Sequence, residues 1–588
     1  MHEQAVDQHS APRRSRWAAL RLGSVAAAFA RATVDNPVLV KEFRTRMRGT
    51  RAYWVLLGYT LLLAAVVAMM YFGFESNMVQ RADSGGIGAA AEGARDLGRS
   101  IFSFVFIAQA IMVALITPAI TSGTVTIERE QRSYELLVTT PLRPVDLIRG
   151  KLTAAVSFVV LLLTASLPLV SLSFLVGGVS PAEIFFSYLV IALASLVYGA
   201  TGIFWSATLR STAAATVVSY LSVLAMFLVT FVPGMAAMSN SAPRGVGSPE
   251  VPFQALHPIG ATFRAVYPEY LFAAQIPAWV ASVVLNLLLG MLIANVAMGR
   301  LEHFEPPRPF WTRFLGTAVW CAGGLFLFGP MLGAMLRGTA TALALRELVT
   351  NTLVGMLVLI CLALPVFNTG DLIVRRGESA LARYLRGFLP NRLFDNDLSC
   401  GFPLIAIWSV YLFALLPLGI FALGKEKFFD PGAVFVPGVI LCLSVVAGLA
   451  GVGNLLSVTL PSRWAACILT YLAGVVLLLL PNFTWFSWFA LIVRPRAPQP
   501  LWQLLYLVPY EGLRELGASA AYWNDHPAMG FGRTVPVWVV TSAIYLTLAA
   551  VTFLITGARV QREGRLLQQR MADSDAHFEV PAAEGAAA

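Results

Sequence analysis

Long apolar stretches are the feature that most constrains how this chain can fold. Many reach about 20 residues, the length that an α-helix needs to cross the hydrocarbon core of a bilayer. Unpaired backbone amides are not tolerated in lipid, so such stretches must form helices there. Only 13% of the 588 residues are charged, too few to cover a soluble globule of this size. The predicted fold class is therefore an all-α polytopic membrane protein.

The apolar stretches predict twelve transmembrane helices in two sets of six. The first six are expected at 53–74, 101–120, 152–174, 185–205, 213–232 and 278–296. The other six are expected at 315–335, 348–366, 402–423, 434–456, 464–480 and 537–555.

Positive charge sets the predicted orientation in the membrane. The net charge of +10 would by itself also fit a nucleic-acid-binding protein. Most of the 42 Lys and Arg residues, however, fall in alternate connections between spans, which is the positive-inside distribution. We therefore expect no nucleic-acid partner, cytoplasmic termini and a multi-pass location in the cell inner (plasma) membrane. The expected segments are a cytoplasmic N-terminus (1–52), a first six-helix unit (53–300), a cytoplasmic linker (301–314), a second, diverged unit (315–556) and a cytoplasmic tail (557–588).

The sequence also contains an internal repeat. Residues 202–221 align without a gap with residues 453–472, and nine of the twenty positions are identical, Ser206 and Ser457 among them. Proline and glycine landmarks elsewhere follow in the same order. Duplication of a six-helix unit explains this pattern. Because six is an even number, the two units would share one orientation, related by an axis along the membrane normal.

A basic amphipathic segment precedes the first span. After Asn36-Pro37, apolar and cationic residues fall on opposite faces of a helix. We predict an interfacial helix whose apolar stripe lies at the acyl boundary and whose cations contact anionic headgroups of the lipid membrane. A generic juxtamembrane basic stretch is the alternative. The residues assigned to the interfacial helix are Lys41, Phe43, Arg44, Met47 and Arg48.

The connection after the second span is dense in charges of both signs. Mixed Glu and Arg side chains favour a structured protein contact over a simple lipid anchor, and Thr140-Pro141 predicts a break between two short helices. A solvated hairpin is the alternative interpretation. The residues assigned to the contact are Glu128, Arg129, Glu130, Arg132, Glu135, Leu136, Leu137, Thr140, Pro141 and Leu142.

These residues resemble a motif of the ABC-2 type permeases, the membrane subunits of ATP-binding-cassette exporters. That family carries E-R-E-x-G-T-x-E-L-L-x-x-T-P-L after its second span and a Gly-Lys pair before the third. This chain has most of the motif, with Arg132-Ser133 in place of Gly-Thr, and has Gly150-Lys151 before its third span. The Asn-Pro-x-x-x-Lys-Glu start of the basic segment is also similar to the family. In the second half the resemblance holds for the last three spans, but 372–391 shows no such motif.

The resemblance implies the permease subunit of an ATP-driven exporter. A separate cytosolic ABC ATPase, in two copies, would push on the 128–151 loop and the interfacial helix. Alternating access would follow from rocking one unit against the other. One chain would form a complete pathway, or two chains would form it as a homodimer. The motif missing from the second half leaves two alternatives: weaker ATPase coupling there, or coupling through the Arg-rich segment 375–396.

Sequence motifs for catalysis are absent, so no enzymatic activity is expected of this chain. No G-x-x-x-x-G-K-[ST] phosphate loop occurs, which leaves ATP hydrolysis to a partner. The five cysteines lack metal-ligand spacing, and neither a cofactor nor a metal is expected. The predicted spans contain no Asp, Glu, Lys, Arg or His, which argues against the alternative of an ion-coupled secondary transporter. A membrane-embedded glycosyltransferase, with acids in the first outer loop, is the enzymatic alternative.

Overall fold

A computed structural model gives the fold of the chain. It describes residues 37–48, 50–132, 144–239, 256–264, 268–271, 274–301, 309–337, 379–386, 403–411, 431–460, 463–479 and 537–578. These residues are almost entirely helical, as the sequence predicts. The predicted span at 348–366 lies outside them.

The elements are numbered here in chain order. The first half contains α1 (Pro37–Met47), α2 (Thr50–Thr121), α3 (Thr126–Glu130), α4 (Pro144–Ala165), α5 (Leu167–Val176), α6 (Pro181–Thr208), α7 (Thr212–Ser239), α8 (Pro258–Arg264), β1 (Pro268–Leu271), β2 (Ala274–Pro277) and α9 (Ala278–Leu301). The second half contains α10 (Pro309–Arg337), α11 (Ala380–Arg386), α12 (Pro431–Thr459), α13 (Arg463–Leu479) and α14 (Val537–Phe578). The antiparallel hairpin β1–β2 is a small departure from the all-α prediction, and it pairs Pro268 with Pro277.

Helical stretches long and apolar enough to cross a membrane confirm that this is a membrane protein. The described residues contain seven of them: Ala52–Gly73, Arg95–Glu130, Val145–Ala165, Pro181–Thr208, Trp279–Leu301, Pro437–Thr459 and Trp538–Arg570. Each overlaps one predicted span. Two shorter apolar helices, Thr212–Phe227 and Ala465–Gly474, fall in the fifth and eleventh predicted spans. The number of twelve transmembrane helices and their division into two units stay predictions.

The first two predicted spans belong to one helical element, α2, which has 72 residues. A straight helix of that length would extend roughly 108 Å. Tyr59 and Gln109, which are 50 positions apart in α2, nevertheless both lie beside Ser166. α2 is therefore not straight, and its two apolar stretches come together as neighbouring spans.

The third predicted span is interrupted. α4 ends at Ala165 and α5 begins at Leu167, with Ser166 between them. Pro168 has no backbone N–H with which to continue the hydrogen bonding of α4, and the N–H of Ser166 turns back to the Leu163 carbonyl oxygen at 3.1 Å. The span therefore consists of two helical pieces.

The start of α6 is fixed by local sequence signals. Ser180 Oγ accepts a hydrogen bond from the Glu183 N–H at 3.2 Å, and Glu183 Oε2 accepts one from the Ser180 N–H at 2.9 Å. Pro181 follows at the first helical position, which its fixed φ suits. Just before this capping box, Gly177 and Gly178 have φ values of 101° and 90°, which glycine adopts without steric cost. The chain can therefore turn sharply between α5 and α6.

Two apolar clusters hold the first half together. The larger one packs α2 against α4 and α6, with Tyr59, Leu63, Phe106, Leu162 and Ile191 among its most buried members. The second joins α1, α4, α6 and α9 at the end of the helices that is predicted to be cytoplasmic, through Val38, Val125, Ile148, Ile203 and Ala297. This second cluster positions the candidate site.

Candidate functional site

A buried lysine joins three segments of the first half. Lys151 of α4 has a side chain that is only 1% exposed. Its Nζ donates to Glu128 Oε1 on α3 at 2.7 Å, to Glu42 Oε1 on α1 at 3.2 Å and to the Thr124 carbonyl oxygen at 2.8 Å. An ammonium group has three N–H donors, so each donor has an acceptor here. These four residues are called the Lys151 cluster below.

The charged members of the Lys151 cluster are largely withdrawn from water. The side chains of Glu42 and Glu128 are 18% and 14% exposed. Desolvation offsets much of the attraction in such a group, so its net contribution to stability is small. Removing the cation alone would instead cost about 3–5 kcal/mol, because it leaves uncompensated buried charge. The cluster therefore acts chiefly to fix α1, α3 and α4 relative to one another.

A serine of α6 holds the beginning of α3. Ser206 Oγ accepts hydrogen bonds from the N–H groups of Val125 and Thr126 at 2.9 and 3.1 Å. Amides at a helix N-terminus have no partner within their own helix, so an outside acceptor is needed. Ser206 is 0% exposed, so bulk water does not reach this position. Thr212 of α7 adds a hydrogen bond from its Oγ1 to Thr126 Oγ1 at 3.0 Å.

The other two charged residues of α3 bind the corner between α6 and α7. Arg129 Nη1 donates to the carbonyl oxygens of Ala207 and Leu209 at 3.0 and 3.4 Å, where α6 ends. Glu130 Oε1 accepts from the Thr212 N–H at 2.8 Å, where α7 begins. A cation at a helix C-terminus and an anion at an N-terminus is the arrangement that helix dipoles favour. The three charged residues of α3 thus contact α4, α6 and α7.

A close approach between α2 and α6 supports this arrangement. A Cβ on Gly202 would lie 2.0 Å from Thr121 Oγ1, so a larger residue would push the two helices apart. Next to this contact, Ser122 Oγ shares a hydrogen bond with Thr216 Oγ1 of α7 at 3.0 Å. The segment that leads from α2 into α3 is therefore fixed on both sides.

The chain leaves α3 through an unfavourable backbone conformation. Arg132 has a φ of 56°, in the left-handed region that glycine adopts most easily. The motif that this loop resembles has glycine at this position. The left-handed exit gives a physical reason for that preference, because glycine commonly ends helices in this way.

One edge of α3 is open to a partner. Ile127 is 44% exposed, and Glu130, Gln131 and Arg132 are exposed. The opposite edge is occupied by the Lys151 cluster and by Ser206. A partner that binds α3 would therefore contact Ile127 and the residues at its C-terminal end.

α1 forms a helix where the sequence predicts one. Val38 is 7% exposed and, like Glu42, packs toward α4. Three of the residues assigned to the interfacial helix are exposed: Lys41, Arg44 and Arg48. Phe43 is half-buried. Met47 is the last residue of α1, and Arg48 follows it. Contact of this surface with lipid stays a prediction.

The structure describes part of the predicted contact after the second span. Glu128, Arg129, Glu130 and Arg132 are described, whereas Glu135, Leu136, Leu137, Thr140, Pro141 and Leu142 lie outside the described residues. The site also contains residues that were not assigned from the sequence: Glu42, Thr124, Lys151, Ser206 and Thr212. The Lys-Glu and Gly-Lys pairs of the resemblance were signals for Glu42 and Lys151. The repeated serine was a signal for Ser206.

Apolar contacts hold the short helix α11 of the second half against α14. Ala380 and Tyr384 are buried with Val560 of α14. A Cβ on Gly564 would lie 2.3 Å from the Ala380 Cβ, so the two helices approach closely there. Asn454 Nδ2 of α12 donates to Tyr384 Oη at 3.4 Å. Burial raises the pKa of Tyr384, which keeps its hydroxyl neutral.

A neutral polar cluster surrounds the break between α4 and α5. Gln109 Nε2 donates to Ser166 Oγ at 2.8 Å and to Tyr188 Oη at 3.4 Å, and the two hydroxyl oxygens are 2.9 Å apart. Ser171 and Ser173 instead donate to carbonyl oxygens of their own helix. Hydrogen bonds between polar side chains are a common means of joining helices in lipid. The cluster therefore connects α2, α6 and the α4–α5 break.

The side chains that most often bind metal ions do not form a ligand cluster in the described part of the chain. No group of three or more His, Cys, Asp or Glu residues there is arranged to hold a metal ion. Comparison of the chain with protein-family models and with curated proteins finds no match.

Proposed function

We propose that this chain is the permease subunit of an ATP-driven exporter of the ABC-2 type. It would lie in the cell inner membrane with both termini in the cytoplasm, and a separate cytosolic ATPase, in two copies, would drive it through the 128–151 loop. The observation that most strongly supports this proposal is the Lys151 cluster. Glu42, Glu128 and Lys151 come from three separate parts of the motif resemblance, yet both carboxylates lie within 3.2 Å of one ammonium group.

The contacts of α3 give force a short route into the membrane. A displacement of Glu128 acts directly on Lys151 and so on the start of α4, the third predicted span. Arg129 and Glu130 connect the same short helix to α6 and α7. Packed interiors are bistable rather than continuously deformable, so a small shift at one contact moves whole elements. Closure of an ATPase against α3 would therefore move three spans together.

The helix boundaries support two units of the same orientation. α6, α7 and α9 begin at residues 181, 212 and 278, and α12, α13 and α14 begin at residues 431, 463 and 537, so each start recurs after 250 to 259 residues. The first and third helices of each trio also pack closely. Gly290 of α9 lies against Leu196 of α6, and Gly448 of α12 lies against Tyr545 of α14. One chain would then form a complete pathway with a place for two ATPase copies.

Purification of the tagged chain from its native membrane in mild detergent tests this proposal. We expect a cytosolic protein with a nucleotide-binding phosphate loop to come with it and to be identified by mass spectrometry. Native mass spectrometry then counts the ATPase copies for each chain. Repeated absence of an ATPase, in detergents that keep known complexes intact, would contradict the proposal and favour an ion-coupled secondary transporter or a membrane-embedded glycosyltransferase.

The open edge of α3 provides a matched pair of variants for the interface. Ile127→Glu puts a charge where an apolar contact is expected, and the affinity for the ATPase copy that binds α3 should fall at least ten-fold, equivalent to about 1.4 kcal/mol. Ile127→Leu keeps the apolar surface and should retain the ATPase. Glu130 is a less suitable target, because it also binds the first N–H group of α7. Equal recovery with both variants would remove the α3 edge from the interface.

A further inference from the structure

α14 continues well beyond its apolar part. It has 42 residues and contains no proline. The predicted span at 537–555 accounts for about 28 Å of its length, and the remaining residues add roughly 34 Å at 1.5 Å per residue. On the predicted topology this extension stands in the cytoplasm as a direct continuation of a membrane helix.

One face of the extension carries arginines around a leucine. Arg559, Arg562, Leu566 and Arg570 are spaced by three, four and four residues, which places them in a single stripe along the helix. All four are exposed, and Leu566 is 42% exposed. The stripe lies opposite the face that packs on α11 through Val560 and Gly564. These four exposed residues are called the arginine stripe below.

Lipid does not reach most of the arginine stripe. Leu566 lies eleven residues beyond the end of the predicted span, or about 16 Å along the helix, and Arg570 lies about 22 Å along it. The headgroup layer extends only about 5–8 Å beyond the hydrocarbon on each side. A tilt of about 20° shortens these heights by less than a tenth. On the predicted topology, Leu566 and Arg570 therefore lie beyond the headgroup layer, within reach of a cytosolic protein.

α11 holds the extension in place. Val560 is 0% exposed and packs with Ala380 and Tyr384, while the Gly564 contact lets α11 approach the backbone of α14. A helix end that served only to be solvated would not require packing against a second helix. A stripe on a supported helix, by contrast, is preorganised, which lowers the cost of ordering a binding surface.

We infer that the arginine stripe binds the second copy of the ATPase, which would present a pocket for one leucine rimmed by carboxylates. This inference rests on the proposed function and extends it to the second half, where 372–391 lacks the motif of the first. Arg559, Arg562 and Arg570 carry a charge of +3, which the exposed Glu563 on the same face lowers to +2. An acidic surface complements this positive charge, which also speeds the encounter. Recognition of a helix by a groove reads side chains at this spacing, and here Leu566 would be the single apolar anchor.

Two variants of the full chain with equal charge change test the inference. Arg562→Glu with Leu566→Glu alters the arginine stripe, whereas Gln561→Glu with Arg565→Glu alters a neighbouring exposed side of the same helix. Each pair changes the charge by −3, and the two positions within each pair are four residues apart. Native mass spectrometry should find two ATPase copies on the wild-type and Gln561/Arg565 chains. The Arg562/Leu566 chain should retain one copy, with affinity for the other reduced at least ten-fold.

Photocrosslinking in the otherwise unaltered chain gives an answer even if the stripe variant fails to accumulate. Leu566→p-benzoylphenylalanine should crosslink to the ATPase, and Arg565→p-benzoylphenylalanine should do so much less. Crosslinking at Leu566 to a second copy of this chain, or to lipid, would overturn the inference and assign the stripe to that contact.

The outcomes also separate this inference from the proposed function. Two ATPase copies on the Arg562/Leu566 chain, together with loss of one copy from Ile127→Glu, would overturn the role of the stripe and leave the exporter proposal intact. Absence of an ATPase from the wild-type chain would overturn both.

Discussion

α3 in the first half and α11 in the second are both short helices packed against long ones, but different forces hold them. α3 is held by directional polar contacts, in which Lys151, Ser206 and the ends of α6 and α7 each satisfy a particular group. α11 is held by apolar packing and a close Gly–Ala contact, with a hydrogen bond from Asn454 in addition. Directional contacts require particular donors and acceptors to meet, whereas apolar packing holds two helices by their shape and close approach.

The repeated serine shows the difference most directly. Ser206 and Ser457 are one of the nine identical positions in the alignment of residues 202–221 with residues 453–472. Ser206 Oγ accepts two backbone hydrogen bonds from the start of α3. Ser457 Oγ is buried and makes no hydrogen bond among the residues that the structure describes. A serine hydroxyl is present at this position in both halves. Among the residues that the structure describes, only the first half has a helix whose backbone N–H groups donate to it.

The largest effect is expected from removing the cation of the Lys151 cluster. Lys151→Met leaves two carboxylates buried beside each other and should destabilise the chain by about 3–5 kcal/mol. Tyr384→Phe, which removes one neutral hydrogen bond from α11, should cost only about 0.5–1.5 kcal/mol. Thermal unfolding of the two purified variants in detergent measures the difference. Equal losses of stability would contradict the distinction between an α3 held by polar contacts and an α11 held by apolar packing.

Lys151→Arg is the control for charge. It keeps a cation beside Glu42 and Glu128 but changes the shape of the donor group, so it should lose less stability than Lys151→Met. If Lys151→Met were as stable as wild type, the cluster would not be a buried ion group in the folded protein.

The serine pair gives the next largest effect and the closest match between variant and control. Ser206→Ala leaves the N–H groups of Val125 and Thr126 without their acceptor and should cost about 2 kcal/mol, because unsatisfied buried donors are expensive. Ser457→Ala removes a hydroxyl that serves no described donor and should be neutral or slightly stabilising. The same unfolding measurement checks both. A loss at Ser457 equal to that at Ser206 would show that the two halves use this position alike.

The parts of this picture that depend on local pattern could be predicted from the sequence. Apolar stretches located the seven described helices that are long and apolar enough to cross a membrane, because the length that lipid requires is visible in the sequence itself. Helical periodicity located α1. The break at Ser166 was missed, although Pro168 signalled it, because a continuous apolar run favours one uninterrupted helix.

The partners of the charged residues could not be predicted in the same way. Glu42, Glu128 and Lys151 are separated by up to 109 positions, and nothing in local periodicity says that they meet. Glu128 and Arg129 were expected to form a surface for a partner, but both side chains are turned inward to other helices of the chain. Only Ile127 and the residues at the end of α3 remain open, and an exposed apolar residue among charges gives little signal.

A smaller effect is expected where α11 approaches α14. Gly564→Ala places a Cβ against Ala380 and should cost about 1–2 kcal/mol, even though alanine is the better helix former. Gly557→Ala is the control two turns earlier on the same face of α14, where the nearest atom, Leu381 Cδ1, is 3.7 Å from the added Cβ. It should be neutral or stabilising. Melting temperatures of the two variants would sharpen the comparison, since only the first should weaken the support of α11.

The smallest effect is expected at the end of α3. Arg132→Gly places the favoured residue in a left-handed position, and it should stabilise the chain by up to about 1 kcal/mol. Gln131→Gly is the control, because Gln131 has a φ of −81° and glycine there only adds backbone freedom to the unfolded state. The two variants should therefore shift the melting temperature in opposite directions. A loss of stability with Arg132→Gly would mean that the arginine side chain makes a contact worth more than the backbone conformation costs.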